Sequence, residues 1–219
     1  MKTIVIVSRK GGAGKTTLAI HLGVEADRIG DGPVAIIDAD PMGGASGWYN
    51  ARKTEGGPQF VGVGSKGLKA TLVALEDAGV ELVIIDTPPA ATEAIQSIIA
   101  ESDLAIVPVI PSPNDLRAIG ETLDLVEAAG RPVLFVLNNA SAKAKLTGQA
   151  SRLLSRDGPV AETVVASRQD YRSAMTDGRA ASEVKPNSLA AKEVAALWVD
   201  VASRLKEGTR RRGTETRRT

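Results

Sequence analysis

The sequence predicts an α/β fold, a doubly wound and mostly parallel sheet with helices on both faces. Three observations carry that expectation. Short apolar runs alternate with stretches of helical length along nearly the whole chain. The first run, Ile4 to Val7, passes through a glycine-rich turn straight into a helix opening at Lys15. Two further runs end on carboxylates, at Asp38 with Asp40 and at Asp86, which puts acidic groups at strand ends where open α/β sheets hold ligands.

Ile4-Val5-Ile6-Val7 is continuous and apolar, the pattern of a strand buried on both faces. The turn after it contains Gly11, Gly12, Ala13 and Gly14 between strand and helix, as a phosphate-cradling loop requires. Its glycines let successive N–H groups aim inward at an anion, and the helix N-terminus adds partial positive charge. Lys15 supplies a full charge for the outer phosphates, and Thr16 a hydroxyl for Mg²⁺. Leu18 to Gly30 continues the helix, until Gly30-Asp31-Gly32-Pro33 stops it. Val34 to Asp38 is the second strand, and residues two apart in an extended chain face one way, so Asp38 and Asp40 point together.

Gly43, Gly44 and Gly47 loosen the following segment, which carries Trp48 and Tyr49 in a short helical piece. Gln59 to Val63 is a weak third strand and Leu68 to Ala78 a helix. Glu81 to Asp86 is an apolar strand closed by an aspartate able to hold Mg²⁺, directly or through water. Then come a helix from Ala91 to Glu101, a buried strand from Leu104 to Ile110, and a rigid turn at Pro111-Ser112-Pro113. Asn114 to Ala129 reads as one helix, Val133 to Leu137 as a strand ending in Asn138-Asn139, and Lys145 to Ser155 as a helix. Val160 to Val165 is the last strand and Gln169 to Asp177 a short helix. Ser188 caps a final helix from Leu189 to about Lys206, with Leu189, Val194, Leu197, Val201 and Leu205 inward. One domain is expected over residues 1–206, and a basic tail without structure over 207–219.

The loop departs from the common G-x-x-x-x-G-K-[ST] pattern, with Lys10 where a glycine is usual. The run from Lys10 to Thr17 resembles the deviant Walker A loop of the ParA/MinD group of P-loop ATPases, and the small ParF-like plasmid partition proteins in particular. The similarity extends over nearly all of the chain except the tail. It includes Asp38 and Asp40, Asp86, Pro111-Ser112-Pro113 with Asp115, Trp48, and the segment from Arg168 to Glu183. The resemblance implies a P-loop NTPase fold of the deviant Walker A type, with ATP and Mg²⁺ as cofactors. It places Lys10, Gly11, Gly12, Ala13, Gly14, Lys15, Thr16, Thr17, Pro111 and Asn138 around the nucleotide. Thr16, Asp38 and Asp86 would serve the metal, and Lys10, Lys15 and Asp40 catalysis. Asp40 would orient or deprotonate the attacking water, and Lys10 would reach across a homodimer to the partner's nucleotide. Simpler roles stand beside these: Asp38 or Asp40 capping the turn before Pro41, Asp86 capping the next helix, Pro111 and Asn138 as turn residues.

The function so implied is that of a partition or positioning ATPase. ATP closes a sandwich dimer, the dimer binds DNA without sequence preference, and a ParB-like or adaptor protein triggers an otherwise slow hydrolysis. The cargo would be a plasmid, a chromosome or a protein assembly. Asn138-Asn139-Ala140-Ser141 lacks the lysine and aspartate of the guanine-reading N-K-x-D signature, consistent with ATP.

Composition sets the outer bounds. Length suggests one or at most two domains, and 43% hydrophobic with 24% charged residues is ordinary for a globular protein. No apolar run reaches membrane-span length, and Met1-Lys2-Thr3 leads directly into a strand, so neither a span nor a signal peptide is expected, nor an N-terminal helix-turn-helix. Zero cysteines fits a cytoplasmic protein and removes the thiol-ligated iron–sulfur ATPases that share this loop, while the resemblance implies association with the nucleoid in the ATP state. The net charge of +1 is uneven: the tail from Glu207 carries a surplus of +3, leaving −2 for the rest. DNA contacts are therefore expected from a cluster near the carboxyl end, Arg168, Arg172, Lys192, Arg204 and Lys206, with a solvated charged face as the alternative. A MinD-like membrane-cycling ATPase would need large apolar residues in the tail, and Thr209 to Thr219 has none. An amidoligase of the same loop class is the other rival, although such synthetases usually lack a residue like Lys10.

Overall fold

The structure is a computed structural model of the chain and describes residues 1–63, 67–89, 93–141 and 144–215, with side chains as far as Glu207. Six strands build one sheet: β1 (Lys2–Ile6), β2 (Val34–Asp38), β3 (Gln59–Gly62), β4 (Leu82–Asp86), β5 (Leu104–Val109) and β6 (Val133–Leu137). Their order is β3-β2-β4-β1-β5-β6, and every named pair is parallel. The helix after β1, α1 (Lys15–Ile29), leads toward β2, whereas the connection after β5 leads to β6 on the other side. Connections that part in this way open a crevice at the carboxyl ends of the central strands.

Alternation along each strand feeds two cores. Ile4 and Ile6 pack with Leu18 and Leu22 of α1 and with Leu197 and Trp198 of the last helix, α10 (Leu189–Glu215). Val5 and Val7 face the opposite layer, with Ile95 and Ile99 among its side chains. Strands buried on both faces explain why the sequence shows continuous apolar runs there. The remaining helices are α2 (Gly44–Ala51), α3 (Gly67–Asp77), α4 (Glu93–Ala100), α5 (Pro113–Arg117), α6 (Gly120–Ala128), α7 (Lys145–Leu154), α8 (Gln169–Thr176) and α9 (Ala181–Val184).

Four expectations need correction. The strand expected over Val160–Val165 is reduced to two bridges, Phe135 with Val160 and Ala140 with Ala166. Ala161 and Val165 still donate to β6 carbonyls, but Glu162 N turns away to Asp200 Oδ2 at 3.0 Å, so the ladder is interrupted. The single helix expected over Asn114–Ala129 divides into α5 and α6, with Gly120, a weak helix former, at the break. Leu189 is 60% exposed; Ala190 and Ala191 turn inward from the first turn of α10 in its place. The helix also continues past Lys206 to Glu215, because Lys206, Glu207 and the arginines that follow are good helix formers that outweigh Gly208. Residues 216–219 of the expected tail, and residues 91–92 at the expected start of α4, lie outside the described residues.

Candidate functional site

Register places the site before any side chain does. Ile6 at the end of β1 pairs with Asp86, and Asp38 at the end of β2 pairs with Asp86 from the other side. Two carboxylates therefore stand side by side at the carboxyl end of the sheet, level with the start of the glycine-rich loop. Thr87 fastens this level by donating its hydroxyl to the Ile6 carbonyl at 2.8 Å. Sequence reasoning passed over Thr87, which its place directly after the strand-closing aspartate could have flagged.

A cavity of about 370 Å³ opens there, lined by the loop at Gly11, Gly12, Gly14 and Lys15 and by Thr16, Thr17, Asp40 and Asn138. Gly14 holds φ +93 at the head of α1, and a Cβ on it would lie 2.1 Å from Asn138 Nδ2. Only glycine suits that turn. Asn138 is buried and donates from Nδ2 to the Ala13 carbonyl at 2.7 Å, so it braces the loop from below. Pro111 is not in the lining, while Asn139, Ala166, Arg168, Tyr171 and Arg172 complete the far wall.

Charge is concentrated at the loop end. Lys15 is 7% exposed, and burial lowers its pKa, opposed by the nearby carboxylates of Asp86 and Asp40. Its Nζ lies 3.5 Å from the Lys10 carbonyl. Asp86 is fully buried and accepts the Thr16 hydroxyl at 2.6 Å through Oδ2, while Oδ1 has no partner. Burial pushes the Asp86 carboxyl up to about 6, the Thr16 bond works against that shift, and Asp38 adds to it. A buried carboxylate with an orphaned oxygen beside a threonine hydroxyl is a hard-oxygen donor set, and Mg²⁺ suits it. Among the described residues no three His, Cys, Asp or Glu side chains converge as a metal cage.

The two aspartates of the second strand divide. Asp38 Oδ1 accepts from Asp40 N, and Oδ2 from Ala45 N and Ser46 N, all at 3.0 Å. It thereby caps the entry to α2, whereas the simpler role open to it in the sequence is the turn before Pro41. Asp40 accepts from Met42 N at 2.9 Å through Oδ1 and lines the cavity, which leaves Oδ2 for a water or a phosphate-bound ligand.

Lys10 does not line this cavity. Its Nζ lies 2.5 Å from Asp115 Oδ2, beside a separate small hollow formed with Ser8, Pro108 and Thr122. Asp115 is held in turn by the Ser112 hydroxyl, and its N–H donates to Ser112 Oγ, the cap of α5. Arg9 pairs with Glu121 on α6.

The residues expected to form the DNA cluster have different surroundings. Arg168 is paired with Glu193, Arg204 lies 3.7 Å from Asp200, and Arg168 and Arg172 line the cavity. Lys192 and Lys206 are exposed. The sequence missed a further assembly because its partners lie far apart in the chain. Arg52, its side chain 4% exposed, forms a two-oxygen pair with Glu183, donates to the Gly178 carbonyl and sits over the Trp48 ring at 5.1 Å.

Comparison with known proteins agrees with this geometry. The model of the CobQ/CobB/MinD/ParA nucleotide binding domain matches residues 4–180. The maintenance of carboxysome distribution protein A of Halothiobacillus neapolitanus is 31% identical over 184 residues, spanning 80% of this chain and 84% of that protein. Protein ParA of Rhizobium radiobacter is 27% identical over 183 residues, 78% of this chain and 81% of that one. Among solved structures, the septum site-determining protein MinD of Pyrococcus horikoshii with Mg-ADP superposes with a TM-score of 0.74 at 21% identity, over 91% of this chain and 95% of its own. Apo McdA of Cyanothece gives 0.72 at 20% identity, over 95% and 99%. The two structures speak for the fold.

Proposed function

Because the chain belongs to the CobQ/CobB/MinD/ParA family of nucleotide-binding domains, we propose that it is a ParA-type positioning ATPase that cycles between an ADP-bound monomer and an ATP-bound homodimer. The observation that carries this reading is the division of labour between the two loop lysines. Lys15 is buried in the cavity wall, whereas Lys10, 40% exposed at its side chain, is turned out of the cavity toward Asp115. On this reading, a loop lysine turned away from its own cavity would serve a second subunit's nucleotide.

In this reading the loop N–H groups and Lys15 would bind the triphosphate, and Thr16 and Asp86 are the residues that would hold Mg²⁺. When bound, the ion neutralises charge that develops on the transferred phosphate. Asp40 orients the attacking water, and Asp38 keeps Asp40 and α2 in place through its three accepted N–H bonds. Arg9 and Arg168 are each held in an ion pair, and slow basal turnover raised by a partner protein belongs to this reading. The carboxysome-distribution and ParA names of its relatives support a cargo-positioning role, for a protein assembly or a replicon.

DNA would be the track. Lys192 and Lys206, exposed and without an ion pair among the described residues, and the arginine-rich run continuing α10 are the contacts proposed. Two such sets on one dimer couple affinity to ATP through avidity. Fluorescence anisotropy with duplex DNA of arbitrary sequence tests this. The ATP form should bind and the ADP form bind weakly, with affinity falling steeply with salt and a chain ending at Lys206 binding less. Equal binding in both nucleotide states, or none in either at low salt, would remove DNA from the cycle.

A further inference from the structure

Two arginines line the cavity, and among the described residues only Arg168 is held by a side-chain partner. The Arg168 guanidinium lies on Glu193 Oε1 through Nε at 3.0 Å and Nη2 at 2.5 Å. Glu193 also accepts Ala166 N and the Tyr171 hydroxyl, so Arg168 is neutralised in place and fixed to α10. Arg172 lines the same cavity, is exposed, and has neither an ion pair nor a side-chain hydrogen bond among the described residues. All five of its N–H donors are available to a ligand.

Where Arg172 stands along the cavity follows from α1. His21, one turn beyond Thr17, places Nδ1 2.8 Å from the Thr17 carbonyl. Its ring meets Tyr171 edge-on, with centroids 5.0 Å apart. Tyr171 therefore packs against the second turn of α1, and Arg172, the next residue, lines the cavity together with Gly14, Lys15, Thr16 and Thr17 at that helix's opening. The opening of such a helix is where a phosphate-cradling loop holds the α- and β-phosphates. We infer that Arg172 is a nucleotide-binding residue acting within its own subunit, its guanidinium engaging the α-phosphate side of the nucleotide. The inference rests on the nucleotide reading given above. It gives Arg172 a different anion from the one its sequence context suggested, a bound nucleotide in place of a DNA backbone.

ADP is the discriminating ligand, since it needs no dimer and no γ-phosphate. Calorimetric titration of ADP and of ATP, without DNA, should be made on the wild type, R172A, R172K and Lys15→Ala. R172A should lose about tenfold in affinity for both nucleotides alike, and R172K should recover part of it, since a charge remains but the planar fork does not. Lys15→Ala should lose far more. Wild-type ADP affinity in R172A sinks the inference, and a simultaneous loss of DNA affinity would identify Arg172 as a DNA contact. A wild type that binds no ADP sinks the nucleotide reading itself, and the inference with it.

Discussion

At the scale of single residues, burial shifts the titration of Lys15, Asp86 and His21. His21 is the clearest case outside the phosphate site. It is 1% exposed, burial lowers its pKa to about 4, and Nε2 has no partner. The neutral ring is therefore the folded form, and acid should select against it. Below the unfolded value of 6.5, the unfolded chain takes up a proton that the folded chain refuses until about 4. Stability from His21 is thus fully present above about pH 6.5 and is lost as pH falls toward 4. Asp86 works in the opposite sense, because its raised value makes the folded carboxyl hold its proton longer than the unfolded one. A comparison of wild type with His21→Phe cancels that contribution. From about pH 7 to about pH 5 the wild type should lose on the order of 2 kcal/mol relative to the variant in urea unfolding. A difference flat across that range would mean His21 is charged or hydrated in the folded chain.

At the scale of elements, the segment after Asp40 is held from two ends. Asp38 caps the opening of α2, and beyond its end Arg52 reaches Glu183 and Gly178, while Trp48 Nε1 donates to the Arg179 carbonyl at 3.1 Å. The helix that follows Asp40 is thereby tied to the turn between α8 and α9. Gly178 makes the approach possible: at φ +72, a Cβ there would lie 2.2 Å from Arg52 N and 2.6 Å from Ala51 C. Gly79 has a similar φ, +83, with open space around it. Gly79→Ala should cost about 1–2 kcal/mol for the backbone conformation alone. Gly178→Ala should cost more by about 1–3 kcal/mol, because backbone must move to admit the methyl. Thermal melts of the two variants check this, and equal costs would mean that α2 and the α8–α9 turn are not in fixed contact. These ties show where sequence reading stops. The strands, the loop, Lys15, Thr16 and Asp86 were legible because each is encoded within a few residues, by apolar runs, glycines and a closing carboxylate. Arg52 with Glu183, Lys10 with Asp115 and Arg168 with Glu193 were not, since each joins residues from separate elements. The interrupted pairing after Pro159 was hidden too, because it depends on where Glu162 finds an acceptor.

At the scale of the whole molecule, the proposed cycle makes output depend on pairing two copies. In that reading each subunit would bind its own nucleotide, and Lys10, turned toward Asp115, would serve the partner's. Lys10 must leave Asp115 to act on a partner, and Asp115, its side chain 7% exposed, would keep the Ser112 hydroxyl and its own place in the α5 cap when that happens. The exchange costs little if a nucleotide phosphate on the other subunit takes the ammonium. The direct measurement is sedimentation velocity of wild type and Lys10→Ala with a non-hydrolysable ATP analogue and Mg²⁺, alongside calorimetric binding of the same analogue. The wild type should sediment as a dimer with the analogue and as a monomer with ADP, and Lys10→Ala should bind the analogue yet stay monomeric. A Lys10→Ala dimer indistinguishable from the wild type, or a wild type monomeric in both nucleotide states, would contradict the account.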